Sequence, residues 1–275
     1  MLTANDLNNN ELIKIRMENN MREKLAYIPA RHPKMDITEI GSTLIVNSAL
    51  PSDTFNTAFG GYIDGLTAKR VFDYYREKNL PMAWWVGPGS QTEYTDESLQ
   101  AAGFCHDEYD VGMVANLLYL PEYTYPDQLE IKLCDTEADF NAFGEVLSSI
   151  FVPYPEEVQI KRYYQQLHLV PAQKRPDLKL FVGYINGKAV STAGLFLTDC
   201  AGIFDISTRP EERQKGYGTA LFYRALEEAK FCGQQISVLQ ASPDGLNIYK
   251  RFGFQQIGDF NVWNNAEAFN TWQYL

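Results

Sequence analysis

Two glycines that lie two positions apart, Gly216 and Gly218, place the strongest constraint on how this chain can fold. They belong to the stretch RQKGYGT, which separates an apolar segment that predicts a strand from one that predicts a helix. Glycine lets the backbone adopt a positive φ, and its missing Cβ lets a ligand approach the N–H groups. The first turn of a helix has unpaired N–H donors at the positive end of the macrodipole, so this loop suits an anion such as a pyrophosphate. Arg213 and Lys215 add positive charge beside it.

The segment after the loop predicts a helix with one apolar face. Its apolar residues recur at helical spacing, at Leu221, Phe222, Ala225, Leu226 and Ala229. A structural alternative is a glycine turn that merely starts a helix. A dinucleotide-binding loop is disfavoured because its third glycine position holds Leu221, and no acidic residue ends the next strand.

The loop resembles motif A of the GNAT (Gcn5-related N-acetyltransferase) superfamily, whose consensus is Q/R-x-x-G-x-G/A. Arg213, Gly216 and Gly218 carry the match. Downstream, Tyr249 to Phe254 reads YKRFGF and is similar to the Y-x-x-x-G-F ending of motif B. The close resemblance covers about residues 183–260. It implies an α/β fold with a mixed central sheet flanked by helices.

The order of elements predicts an internal duplication. Both halves end in strand, turn, short helix, Gly-Phe and strand, and Gly103-Phe104 precedes Gly253-Phe254 by 150 residues. The first copy lacks the glycine loop, since Gly60, Gly61 and Gly65 have the wrong spacing. The run WWVGP at 84–88 resembles tandem GNAT proteins with a degenerate N-terminal half. We therefore predict two GNAT-like domains, a degenerate one at 1–120 and an acetyltransferase domain at 129–275, joined by a linker at 121–128. The first domain is interpreted either as a wall on the substrate side or as a scaffold.

Local patterns predict the secondary structure of both halves. Helices are expected over 5–27, 63–78, 95–102, 156–167 and 217–231, with another starting at Thr136 or Asp139. Strands are expected over 37–40, 43–48, 81–86, 109–118 and 129–133, with a hairpin of 178–185 and 188–197 around Asn186-Gly187. We interpret residues 263–275 as a docked helix.

Composition sets the broad class. A chain of 275 residues with 45% hydrophobic residues can bury two cores, and the net charge of −11 disfavours nucleic acid as a partner. The four cysteines and three histidines show no metal-ligand spacing, so we expect no metal. The sequence begins without the basic and apolar regions of a signal peptide and has no membrane-length apolar run. We expect a cytoplasmic protein without a membrane partner, and export without an N-terminal signal stays open. The oligomeric state is not predicted.

By resemblance, the chain is an N-acetyltransferase that moves an acetyl group from acetyl-CoA to an amine by direct attack in a ternary complex. The acceptor would be a small molecule or a peptide amine. The alternative is a CoA-responsive or acetyl-CoA-responsive binding protein that catalyses no reaction. The residues expected to bind the coenzyme are Ile206, Ser207, Thr208, Arg213, Gln214, Lys215, Gly216, Tyr217, Gly218, Thr219 and Ser242. Ser242 replaces an asparagine common in the family, and a role as helix N-cap before Pro243 is the alternative.

Two residues are candidates for proton transfer. The resemblance implies that Tyr249 acts as general acid, since a phenol is protonated at neutral pH and can donate to a departing thiolate. A tyrosine packed in the core is the structural alternative. Asp205 lies between Phe204 and Ile206, where burial would raise the pKa of its carboxyl and suit it to accept an amine proton. The alternative is a strand carboxylate that faces solvent.

Overall fold

The computed structural model describes residues 1–269, and these form one mixed sheet of eleven strands flanked by helices. The first half contains α1 (Asn10–Tyr27), β1 (Asp36–Ile40), β2 (Thr43–Asn47), β3 (Thr57–Phe59), α2 (Gly65–Glu77), β4 (Ala83–Val86), α3 (Thr95–Ala102) and β5 (Cys105–Asn116). The second half contains β6 (Glu130–Leu133), α4 (Glu137–Ser148), α5 (Glu156–Gln165), β7 (Leu178–Ile185), β8 (Lys188–Leu197), β9 (Ala201–Thr208), α6 (Tyr217–Phe231), β10 (Ile236–Ala241), α7 (Leu246–Lys250) and β11 (Gln255–Asn264).

The predicted secondary structure is confirmed for most elements. Thr136 is the N-cap of α4, in a capping box with Asp139, and Asn186 and Gly187 have the positive φ angles of a type I′ hairpin turn. The predicted helix at 263–275 is wrong at its start. Trp263 lies in β11 and is buried in the sheet, while residues 270–275 lie outside the part of the chain described.

The last strand of each half is exchanged into the sheet of the other half. The order is β1-β2-β3-β4-β11-β5-β10-β9-β8-β7-β6. β11 pairs antiparallel with β4, whereas β5 pairs antiparallel with β10, and the two exchanged strands pair with each other at the centre. Residues 120–129 contain no helix or strand. The linker proposed at 121–128 therefore separates the halves along the chain, but the sheet continues without a break between them.

Helices cover both faces of the sheet. On one face, α2 and α3 pack on the first half and α6 and α7 on the second. On the opposite face, α1 covers the centre and α4 and α5 cover the second half. Successive side chains of β5 point to opposite faces of the sheet. Val111 and Met113 point towards α6, while Val114 points towards α1.

The long helix α1 connects the two halves across the sheet centre. Ile13, Met17 and Met21 recur every four residues and form its buried stripe. The buried amide of Asn20 donates to the Phe196 and Cys200 carbonyls and to the Thr198 hydroxyl, all in the second half. In the first half, the carboxylate of Glu18 accepts from the N–H of Gly89 and the hydroxyl of Ser90.

Two parallel strands separate towards one end and leave an opening in the sheet. β9 and β10 pair only through Ala201 with Ser237 and Gly202 with Val238. Beyond Gly202, β9 and β10 no longer pair with each other, although β9 remains paired with β8 and β10 with β5. The main-chain groups on the inner edges of this opening are therefore available to a ligand.

The strand exchange predicts that neither half is stable alone. A fragment of residues 123–275 would leave β10 and β11 without their β5 partner and expose two strand edges, which favours aggregation. We expect fragments 1–122 and 123–275 to co-purify when co-expressed and to unfold in one transition. Circular dichroism and size-exclusion chromatography would measure this. A soluble, cooperatively unfolding 123–275 fragment would contradict the prediction.

Candidate functional site

The glycine loop presents its N–H groups without a protein partner. Gln214 has a φ of 64° and Gly216 a φ of 82°. Gly216 is the N-cap of α6, and no side chain caps this helix. The N–H groups of Tyr217, Gly218 and Thr219 make no hydrogen bond within residues 1–269. An uncapped helix N-terminus of this kind attracts an anion.

The second glycine allows α6 to approach β9 closely. A Cβ on Gly218 would lie 2.7 Å from the Thr208 hydroxyl oxygen, closer than real side chains come. The helix N-terminus is therefore held directly beside the strand that borders the opening in the sheet. The sequence motif thus serves two purposes, since Gly216 supplies the left-handed turn and Gly218 the close contact.

A cleft of about 750 Å³ begins at this loop, within the usual size range of ligand sites, about 300–1,000 Å³. Nearly all the residues predicted to bind the coenzyme line it, namely Ile206, Ser207, Thr208, Arg213, Gln214, Gly216, Tyr217, Gly218, Thr219 and Ser242. Phe222 and Tyr249 contribute from the α6 face, and Ile150 contributes from the segment after α4 on the other face. The cleft therefore passes through the opening between β9 and β10.

Two polar side chains beside the opening are buried without a partner. Ser207 is 5% exposed, and its hydroxyl makes no hydrogen bond within the described chain. Gln240, on β10, has both its amide nitrogen and its amide oxygen buried and unsatisfied. Buried polar groups without partners are unfavourable, and a bound polar ligand that pairs with them removes that cost.

The charges at the mouth of the cleft differ from the prediction at one position. Arg213, which belongs to motif A, lines the cleft as expected. Arg251, which lies outside motif A, also lines it. Lys215 does not line it. Its ammonium lies 2.7 Å from the Glu212 carboxylate, which also contacts Lys188. Arg213 and Arg251 are therefore the cations placed to meet an anionic ligand.

Tyr249 lines the cleft where it passes under α7. Its ring packs edge-on against Phe222, with centroids 5.0 Å apart. Burial, with a smaller contribution from the negative charge of Asp110, raises the pKa of Tyr249 to about 12. The phenol is therefore protonated at neutral pH and can donate a proton.

The two carboxylates near the opening have different surroundings. Asp205 does not line the main cleft. It has a φ of 56° in a bulge of β9 and faces a small cavity on the α5 side, with the Lys24 ammonium 3.5 Å from its Oδ1. Asp110 comes from β5 of the first half and does not line the main cleft either. Its side chain makes no ion pair or hydrogen bond within residues 1–269. Burial raises the pKa of Asp110. It pairs with Phe260 across β11, and this register places it on the α1 face.

The equivalent helix of the first half is closed to anions. α2 begins after Asp64, whose carboxylate accepts a hydrogen bond from the N–H of Thr67, and this contact lowers the pKa of Asp64. A negative charge thus already occupies the N-terminus of α2. The contrast with uncapped α6 supports the expectation that the first half does not bind the coenzyme in the same way.

Sequence reasoning missed Asp110, Gln240 and Arg251. Gln240 carries a local signal, because an amide interrupts the apolar run ISVLQA of β10. Arg251 lies within the YKRFGF motif but at one of its variable positions. Asp110 has no local signal, since its position depends on the exchange of β5 into the second half.

Comparison with known proteins finds sequences similar to part of this chain. The acetyltransferase (GNAT) family model matches residues 143–254. An uncharacterised N-acetyltransferase of Methanocaldococcus jannaschii is 28% identical over 135 residues, 44% of this chain and 58% of that protein. This chain thus matches a little over half the length of that relative. Over residues 143–254 the chain is therefore similar to the acetyltransferase (GNAT) family.

Solved structures extend the likeness to the whole chain. A GCN5-related N-acetyltransferase from Kribbella flavida superposes with a TM-score of 0.65 at 13% identity, over 92% of this chain and 95% of that one. A tandem GNAT protein from the clavulanic acid biosynthesis pathway gives a TM-score of 0.57 at 11% identity, over 96% of both chains. The chain therefore has the fold of a tandem GNAT protein. No helix within residues 1–269 is long and apolar enough to cross a bilayer.

The surroundings of Tyr249 predict a measurable titration. Its folded pKa lies above the ordinary value of 10, so the folded state binds the proton more tightly than the unfolded state between pH 10 and 12. The free energy of unfolding should fall as pH rises through that window, and Tyr249→Phe should remove this part of the fall. Denaturant unfolding and ultraviolet difference titration would measure both effects. A Tyr249 phenol that ionises near pH 10 would disprove the prediction.

Proposed function

We propose that the protein is an acetyl-CoA-dependent N-acetyltransferase with one working coenzyme site. The observation that carries the proposal is the uncapped N-terminus of α6, which opens onto a cleft through the sheet. Unpaired N–H groups suit a diphosphate, and free strand edges suit an amide-containing arm. A long, flexible thioester with an anionic end matches both features.

The chain offers separate binding groups along the cleft. The N–H groups around Gly216 and Gly218, with Arg213 and Arg251, would hold the diphosphate. Main-chain groups of 206–208 on the edge of β9 would pair with the pantetheine amides. Ser207 and Gln240 would hydrogen-bond to the portion of the ligand that lies within the opening, since both have unpaired polar atoms there.

Acetyl transfer to an amine requires two proton transfers. As the amine nitrogen bonds to the thioester carbonyl carbon and the carbon–sulfur bond breaks, the sulfur gains a proton and the nitrogen loses one. Tyr249 would donate the proton to sulfur, because its phenol lines the cleft and is protonated at neutral pH. General acid catalysis of this kind accelerates a reaction by about 10²- to 10⁴-fold.

We propose Asp110 as the base that accepts the amine proton. Its carboxylate has no ion-pair partner within residues 1–269, and its raised pKa favours proton uptake. Asp205 stays the second candidate, but Lys24 already neutralises its charge. The rival function is a CoA-responsive binding protein without catalysis, and the presence of an unpaired, half-buried carboxylate whose charge acts on Tyr249 favours the enzyme.

The coenzyme site is tested by a matched pair of glycine variants. Gly216→Val and Gly233→Val both place a β-branched residue at a φ above 80°, so both should destabilise the fold by roughly 1–2 kcal/mol. Only Gly216→Val should weaken acetyl-CoA binding, by about tenfold or more, because only it obstructs the N–H groups of the loop. Isothermal titration calorimetry measures the Kd. Equal acetyl-CoA affinity in the two variants would refute the assignment of this loop.

The chemistry is tested by release of free CoA thiol with a panel of amines. Tyr249→Phe should lower kcat by about 100-fold with little change in acetyl-CoA affinity, whereas Tyr223→Phe, a matched change on α6 outside the cleft, should not. Asp110→Asn should lower kcat more than Asp205→Asn. Intact acetyl-CoA binding without thiol release from any amine would favour the rival function, and a larger effect of Asp205→Asn would reverse the assignment of the base.

A further inference from the structure

A second cleft, of about 640 Å³, lies on the α1 face between the two halves. Its floor is formed by strands near the centre of the sheet, β4, β11 and β5, and includes Ala83, Val262 and Glu108. Its other wall is the segment at 151–156 between α4 and α5 of the second half. The volume is again that of a small-molecule site. Because both halves contribute to its walls, the cleft exists only in the assembled chain.

The cleft is strongly acidic. Four carboxylates line it. Among the described residues that line the cleft there is no Lys, Arg or His. The acidic residues are Asp53, Asp107, Glu108 and Glu156. Desolvation raises the pKa of Glu108, and the negative charges of Asp110, Asp107 and Asp53 add to the effect. The pKa of Asp53 is raised in the same direction by burial and by Asp107. The described lining therefore concentrates carboxyl groups without a cation to neutralise them.

Glu156 gives an independent sign that a ligand belongs here. Its side chain is 95% buried, at 5% exposure. One oxygen, Oε1, accepts a hydrogen bond from the Ser52 hydroxyl at 2.5 Å. The other, Oε2, is buried and makes no hydrogen bond of normal geometry within residues 1–269, although the Thr54 side chain lies close enough to act, with Ser52, against the rise in the Glu156 pKa that burial causes. A buried carboxylate oxygen without a donor is costly, and a ligand N–H group would satisfy it.

The remaining lining favours an organic cation. Trp85, Phe151 and Tyr154 place aromatic rings in the cleft. Aromatic faces attract ammonium groups and pack on the methylene groups between them. A metal ion fits less well, because within residues 1–269 no three His, Cys, Asp or Glu side chains are arranged to hold one. The chemistry of carboxylates and aromatic rings together matches an alkyl chain with positive charges.

The cleft connects to the proposed catalytic groups along β5. Glu108 and Asp110 lie two residues apart on the same strand face, about 7 Å along the strand. Glu108 lines the acidic cleft, and the charge of Asp110 is felt at Tyr249 in the coenzyme cleft. In the second half, Ile150 lines the coenzyme cleft while its neighbour Phe151 lines the acidic one. The two clefts therefore lie next to each other, separated by residues 150 and 151.

We infer that the acidic cleft binds the acceptor, and that the acceptor is a small di- or polyamine. Its distal ammonium would contact Glu156 and Asp53 between the aromatic rings, and its proximal amine would reach Asp110. This inference rests on the function proposed above. In the reaction, the proximal ammonium first loses one proton to water. The neutral nitrogen then gains the acetyl group and loses a second proton to Asp110, while the coenzyme sulfur gains a proton from Tyr249. The proton on Asp110 later returns through water to the tyrosinate. The product carries one positive charge fewer than the substrate.

The inference is tested with spermidine, 1,4-diaminobutane and n-butylamine at fixed ionic strength. Calorimetry without coenzyme measures amine binding, and thiol release with acetyl-CoA measures turnover. We expect spermidine to bind at least about tenfold more tightly than n-butylamine, with a correspondingly lower KM. A lysine-containing peptide should compete poorly, because the cleft is walled on two sides.

Three variants place the binding site. Glu156→Gln keeps the shape and the hydrogen bond from Ser52, and the double variant Asp107→Asn/Glu108→Gln alters exposed positions. Each should weaken spermidine binding by about tenfold and leave acetyl-CoA affinity unchanged. Glu97→Gln, an exposed acid on α3 outside the cleft, is the control and should change neither affinity.

The outcomes separate the two proposals. If the protein turns over n-butylamine or the peptide as well as spermidine, or if Glu156→Gln and the double variant bind spermidine like the wild type, the inference is overturned while acetyl transfer stands. If no amine causes thiol release, the proposed function fails, and spermidine binding that depends on Glu156 would still support the cleft as an amine site.

Discussion

The pairing of β5 with β11 at the centre of the sheet is the constraint on which the rest of the structure depends. It joins the two halves into one hydrogen-bonded layer and fixes the register of β5 against both β11 and β10. Because side chains alternate along a strand, a slip of one residue would move Glu108 and Asp110 to the opposite face. The acidic cleft and the proposed base therefore exist only because backbone hydrogen bonds from the other half hold this strand in place.

The two halves use the same structural position in opposite ways. In each, a helix follows a strand that has a parallel neighbour in the sheet, and the N-terminus of such a helix is a natural anion site. In the second half Gly216 leaves that N-terminus open, whereas in the first half Asp64 closes it with a carboxylate. The first half instead supplies the acidic strand β5 and the ring of Trp85 to the opposite face. In the proposed function, the second half binds the anionic coenzyme, and the first half contributes to the cleft for a cationic acceptor.

Features that depend on a few neighbouring residues could be predicted from the sequence. The Gly216 turn, the Asn186-Gly187 hairpin and the Thr136 cap each follow from local backbone chemistry, and the structure contains all three. The strand exchange could not be predicted, because the pattern of polar and apolar residues in β5 and β11 does not specify which neighbouring strand each one pairs with. Consequently Asp110 could not be placed near Tyr249, and the segment around Trp263 was interpreted as a helix although it is a central strand.

The position of β11 also governs how the chain can mature as it is made. β4 ends at Val86, but its neighbour in the finished sheet is formed by residues 255–264, which are synthesised much later. An N-terminal unit cannot close on the ribosome before the rest emerges, and its unpaired edge stays open to wrong partners until then. A tandem protein of this kind therefore gives up the advantage of folding one domain at a time, and its quality control must act on the whole chain.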